Sequence, residues 1–146
     1  FVAQFPMDIE TIELGDSFSE AAKCHEIIMN GSISNSLSPY YNENKSKLHP
    51  FTVNRIEAGL PVTAKEYIDA IEKAKKMQQI LKSIFTKFDA IITPAAPGQA
   101  PRDLMNTGNA IFNGYWTMMG VPAISLPVLK RQRRLANRHT SYYVLE

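Results

Sequence analysis

Between Thr63 and Phe88 apolar residues recur every three or four positions, at Tyr67, Ile71, Ala74, Met77, Leu81, Ile84, Phe85 and Phe88, and lysines fill the face between them. The period predicts an amphipathic helix opened by a Thr63–Glu66 capping box and about 40 Å long at its usual rise per residue. A helix of that length needs a large body to lie against. Upstream, Ile9, Ile12 and Leu14 alternate imperfectly and predict a short strand. Ser17 with Glu20 predicts a second capping box, opening a helix through about Met29. The Ser-rich stretch from Asn30 to Lys47 reads as loop, or as weak helix around Tyr40 and Tyr41, and Phe51 to Leu60 as a short helix stopped by Gly59 and Pro61.

The pattern changes character after Phe88. Asp89-Ala90-Ile91-Ile92-Thr93 is a short apolar run suited to a strand buried on both faces and stopped by Pro94 and Pro97, and a Pro/Gly-rich loop follows from Ala95 to Asn106. Asn109 to Met119 predicts a helix ended by Gly120 and Pro122, and Ala123 to Leu126 a second strand closed by Pro127. Strand, loop, helix and strand in that order predict an α/β chain with a partial mixed β-sheet flanked by helices.

Composition narrows the class. The chain has 146 residues, 45% hydrophobic and 21% charged, the balance of a soluble globular core. No apolar stretch is long enough to span a bilayer, and the expectation is a cytoplasmic protein with no membrane partner. Phe1-Val2-Ala3 offers neither an initiator Met nor a signal peptide, so the chain is expected to begin inside something longer. The single Cys24 cannot form an internal disulfide. His25, His49 and His139 are far apart and lack the spacing of metal ligands, so neither metal nor cofactor is expected.

Net charge is +2, but Lys130, Arg131, Arg133, Arg134 and Arg138 stand against Glu146 in the last 17 residues. Taking five from 16 basic and one from 14 acidic residues leaves a body of 11 and 13, a net of −2, so no nucleic-acid partner is expected. The glycines are single and cradle no phosphate. The serines from Ser32 to Ser38 lack a Gly-rich flank and read as a solvated loop rather than a nucleophile. Phe112, Tyr115 and Trp116 suit a core, while Asn109 and Asn113 could hydrogen-bond a ligand from the same helix.

The segments "FDAIITPAAPG" (88–98) and "GVPAISLP" (120–127), with the intervening helix and the long helix before them, resemble the C-terminal part of the amidase signature family across roughly residues 1–129. The resemblance implies a hydrolase of carboxylic amides whose Ser nucleophile, second Ser in a cis peptide and Lys lie in a signature absent from this chain. The chain alone is therefore expected to be inactive. Carried over by position, Asn109, Phe112, Asn113 and Trp116 are the substrate-pocket candidates, with plain packing the competing reading for Phe112 and Trp116. The implied partner is a small amide. Self-association through apolar surface left exposed is also expected.

Two alternatives are a non-catalytic binding or assembly module and a fragment of a glutamine-dependent tRNA amidotransferase A-type subunit. The absence of charge from 107 to 122 favours a general amidase over a site for an amino acid. Residues 130–146 depart from the resemblance. With permitted codons, Arg133 to Tyr143 read one base later give Gly-Gly-Leu-Pro-Ile-Gly-Thr-Gln-Val-Ile-Met, a segment of the family's own kind. The chain is thus divided into 1–129, an amidase-signature portion, and 130–146, a frameshifted basic tail expected to be disordered or weakly helical.

Overall fold

The computed structural model describes residues 9–98, 101, 103, 106, 108–130 and 139–145. Its elements are helices α1 (Ala21–Asn44), α2 (Pro50–Gly59), α3 (Ala64–Ile84) and α4 (Ile111–Met119), and strands β1 (Ile91–Pro94), β2 (Ala123–Lys130) and β3 (His139–Leu145).

Helix α3 follows its periodic pattern. Thr63 Oγ1 accepts from the Glu66 N–H at 3.2 Å, and the Glu66 carboxylate takes the Thr63 N–H at 2.9 Å, closing the capping box. Ala70, Ala74, Met77 and Leu81 are buried. The helix stops four residues earlier than its apolar period, because Phe85 forms the C-cap and the chain turns through hydrogen bonds from Lys87 and Phe88 to the Ile84 carbonyl. Phe88 is half-buried in that turn.

Helix α1 corrects the sequence reading. It continues through the Ser-rich stretch to Asn44, with Pro39 inside it. Small residues explain the continuation: they let neighbouring helices approach closely, and the packing gained outweighs weak helix propensity. A Cβ on Gly59 of α2 would collide with the Asn30 carbonyl oxygen and lie 2.6 Å from Ser34 Cβ. A Cβ on Gly31 would lie 2.9 Å from the Tyr67 ring of α3. Ser32 shares a hydrogen bond with the Tyr67 hydroxyl at 2.9 Å, and the Ser38 hydroxyl donates to the Ser34 carbonyl. Ser32 and Ser34 thus serve helix packing, and the stretch is helix rather than a solvated loop.

The N-terminal expectations change too. Residues 9–14 form no strand, and Asp16–Phe18 is a single 3-10 turn. Glu20 precedes α1 without a side-chain cap bond, and its carboxylate accepts from Lys73 of α3 at 2.6 Å. The ion pair ties the start of α1 to α3, where a local cap would have tied it only to itself.

The strands form a sheet in the order β1-β3-β2, with β3 antiparallel to both neighbours. The described pairings are thus all antiparallel where a mixed sheet was expected. β1 and β2 still run parallel to each other, separated by β3 and connected through α4. Val144 lies between Ile92 and Ile124 in register. The β2–β3 register is irregular between Leu126 and Leu129, around Pro127, which has no N–H to give the ladder. β3 overturns the expectation of a tail without regular strand: Thr140, Tyr142, Tyr143 and Val144 are β-formers, and two flanking strands supply their partners. Residues 131–138 lie outside the described residues.

A core of Ala21, Cys24, Ala70, Met77, Leu81, Ile91, Trp116 and Met119 joins α1, α3, β1 and α4. Among the described residues no helix is long and apolar enough to cross a membrane.

Candidate functional site

Helix α4 is the hub of the candidate site, and both its ends are set by local chemistry. Asn109 Oδ1 accepts the Ile111 N–H at 2.9 Å, so Asn109 closes a turn before the helix. Gly120 adopts φ 68° and gives its N–H to the last turn, a left-handed cap that suits glycine.

Two neighbours fix where α4 sits. A Cβ on Gly114 would lie 2.8 Å from His25 Cε1 and 3.0 Å from its Nδ1, so the imidazole of α1 rests against the α4 backbone. Gln78 of α3 donates from Nε2 to the Met119 carbonyl at 3.0 Å, satisfying a helix-end acceptor. Burial lowers the His25 pKa from 6.5, with Arg55 adding in the same direction and Glu26 opposing, so the ring beside Gly114 favours its neutral form.

On another face of α4 a cleft of about 210 Å³ is lined by Asn113, Trp116, Thr117, Val121 and Ala123. Trp116 is 4% exposed, and its buried indole N–H finds no acceptor among the described residues. An unpaired donor in such a place is unusual, because desolvating it without a partner costs about 1–3 kcal/mol.

The structure therefore divides the four sequence candidates. Asn113 and Trp116 come together at the cleft. Asn109 is exposed outside α4 and does not share a helical face with Asn113. Phe112 is half-buried and lies outside the cleft lining. Thr117, Val121 and Ala123 were missed: Thr117 stands one turn beyond Asn113, and the Gly120 turn brings the next segment back alongside. The i, i+4 spacing could have found the first of these, whereas the others needed the turn.

Chemically the cleft offers amide and hydroxyl groups, an aromatic face and apolar walls, and none of its lining residues is charged. It can hold and orient a neutral polar group, but it contains neither a nucleophile paired with a base nor a metal-ligand set. No group of three or more His, Cys, Asp or Glu residues able to hold a metal occurs among the described residues.

No protein-family model matches the chain. The A-type subunit of the glutamyl-tRNA(Gln) amidotransferase of Clostridium botulinum, in strains Eklund 17B and Alaska E43, is 32% identical over an alignment of 108 positions that covers 66% of this chain. The match covers 22% of those relatives, so the chain spans about a fifth of their length. An amidase crystal structure superposes with a TM-score of 0.74 at 19% identity, over 90% of this chain and 31% of that one. The 6-aminohexanoate cyclic dimer hydrolase complexed with substrate gives 0.69 at 15% identity, over 99% and 35%. At these identities the structures establish likeness of fold. The sequence relatives and this likeness of fold agree, and together they support a relationship of this chain to part of the amidase-signature enzymes.

Proposed function

We propose that the chain is the C-terminal portion of an amidase-signature hydrolase of carboxylic amides, supplying a substrate-pocket wall while the nucleophile and its base come from another part of the parent protein. The observation that carries the reading is the uncharged cleft on α4, lined by Asn113 and by Trp116, whose buried indole N–H lacks an acceptor among the described residues. An amide carbonyl is the kind of acceptor that this donor lacks. Asn109 and Phe112 act at one remove, on the start and packing of α4. In the parent, a Ser activated through a second Ser by Lys attacks the carbonyl, and this chain's part is to hold the amide in place.

The test uses the longer polypeptide containing this segment, assayed with neutral aliphatic and aromatic amides. Asn113→Ala and Trp116→Phe are expected to raise KM about tenfold, the worth of one lost hydrogen bond to a bound amide, with a smaller change in kcat. Turnover by the 146-residue chain alone, or unchanged kinetics in both variants, overturns the reading. A second reading, an amidotransferase A-type subunit, is favoured by the named sequence relatives. It predicts glutamine hydrolysis in preference to neutral amides.

The same reading treats 130–146 as a wrong-frame segment. The in-frame alternative places Thr-Gln-Val-Ile-Met at the positions where β3 now begins, between β1 and β2. Restoring that frame in the longer polypeptide should raise soluble yield and amidase activity together. No improvement in folding removes the frameshift proposal.

A further inference from the structure

A second concavity, between α1, α3 and α4, is not used by the reading above. It measures about 470 Å³, and Thr117 separates it from the candidate cleft, lining both. Its size falls within the range of small-molecule pockets, roughly 300–1,000 Å³. Ile28, Met29, Ile71, Ala74 and Met118 make an apolar interior. The two thioethers bend to fit flexible chains, as methionine does in other adaptable binding surfaces.

The polar lining is one-sided. His25, Lys75, Gln78 and Thr117 contribute donors, and no aspartate or glutamate lines the pocket. Lys75 is exposed on α3 and brings the lining its one always-charged cation. His25 packs on Gly114 and keeps to its neutral form, while the Gln78 amide N–H is bound to Met119, so both belong to the framework of the pocket.

We propose that this pocket binds an amphipathic monocarboxylate, its unbranched apolar chain lying between Met29 and Met118 and its single anionic head meeting Lys75. Charge complementarity selects this occupant. An alkyl alcohol would bury the same tail without using Lys75, and an alkylammonium would be repelled by it. The inference stands apart from the amidase reading, since it concerns equilibrium binding and requires no turnover.

The experiment titrates the full 146-residue chain with octanoate, octanol and octylammonium, by calorimetry and by fluorescence of Trp116, the single tryptophan, on the helix that walls the pocket. Octanoate is expected to bind saturably and about five- to tenfold more tightly than octanol, the worth of one partly screened charge contact, with octylammonium weaker still. Lys75→Glu, an exposed change that leaves the fold intact, should reverse the preference between octanoate and octylammonium. Ala74→Leu, which fills the pocket, should abolish binding of all three. Absence of saturable binding, affinity indifferent to the head group, or a Lys75→Glu preference unchanged from the parent overturns the proposal. So does loss of octanoate binding in a folded longer polypeptide containing this segment, which would make the pocket a seat for that polypeptide's own chain.

Discussion

Helices α1 and α3 have similar lengths, 24 and 21 residues, and lie against each other, yet they are stabilised in different ways. α3 has a closed capping box, a regular apolar stripe and an i, i+4 ion pair between Lys65 and Asp69. α1 has none of the first two. It contains Gly31, four serines and Pro39, and its apolar residues follow no helical period. What makes α1 a helix is close approach: Gly59 against Asn30 and Ser34, Gly31 against Tyr67, Ala21 and Cys24 in the core. A helix can therefore be specified by its own sequence or by the shape of its neighbours.

Predictions can break that contrast, and the largest effect belongs to the shared core. Leu81 is 1% exposed, and Leu81→Ala should cost about 3–4 kcal/mol by leaving a cavity where α3 meets the core, read by urea denaturation. Gly59→Ala should cost about 2–3 kcal/mol, because the added methyl meets a backbone oxygen of α1 that retreats only if the helices separate. A neutral Gly59→Ala would show that α1 does not depend on close packing.

The caps sharpen the comparison at smaller scale. Thr63→Ala should lower stability by about 1 kcal/mol, since it leaves the Glu66 N–H without its acceptor. Ser17→Ala, at the position where a cap was expected for α1, should leave stability within about 0.5 kcal/mol, because it lies in the 3-10 turn and caps nothing. Equal effects would erase the distinction between the two helix starts.

The smallest expected effect is a pH dependence that involves α1 through His25. Its pKa is lowered from 6.5 in the folded chain, so the contribution to stability is complete above pH 6.5 and is lost as pH falls through the lowered value. Arg55 from α2 acts on the imidazolium with like charge, and Glu26 on α1 opposes it. The carboxylates of Glu20, Glu57 and Glu66 have pKa values lowered from 4.5 and act in a more acidic window. Stability should therefore decline gently between pH 6.5 and 4.5, and His25→Gln should flatten that limb. An identical slope in the variant removes His25 from the account.

The candidate site was partly legible for the same reason as the helices. Asn113 and Trp116 stand in one short helix whose period and glycine stop are written locally, and both reach the cleft. Asn109 was misplaced because an Asx-type turn, closed by its own side chain, starts the helix two residues later. Val121 and Ala123 enter the cleft only once the left-handed Gly120 folds the chain back.

By itself the sequence determined what depends on neighbours a few residues apart: the capping box and buried stripe of α3, the existence of α2 and α4, the glycine stop at Gly120, and the strand character of β1 and β2. Tertiary structure decided what depends on contacts across the chain. It extended α1 through serines and a proline, turned Glu20 from a cap into the partner of Lys73, and set β3 in the middle of the sheet. Local periodicity fixes the free energy of one element along its own axis. It contains no information on how closely a second helix approaches or which strand supplies the missing hydrogen bonds, and those two quantities chose the conformation wherever propensity was weak.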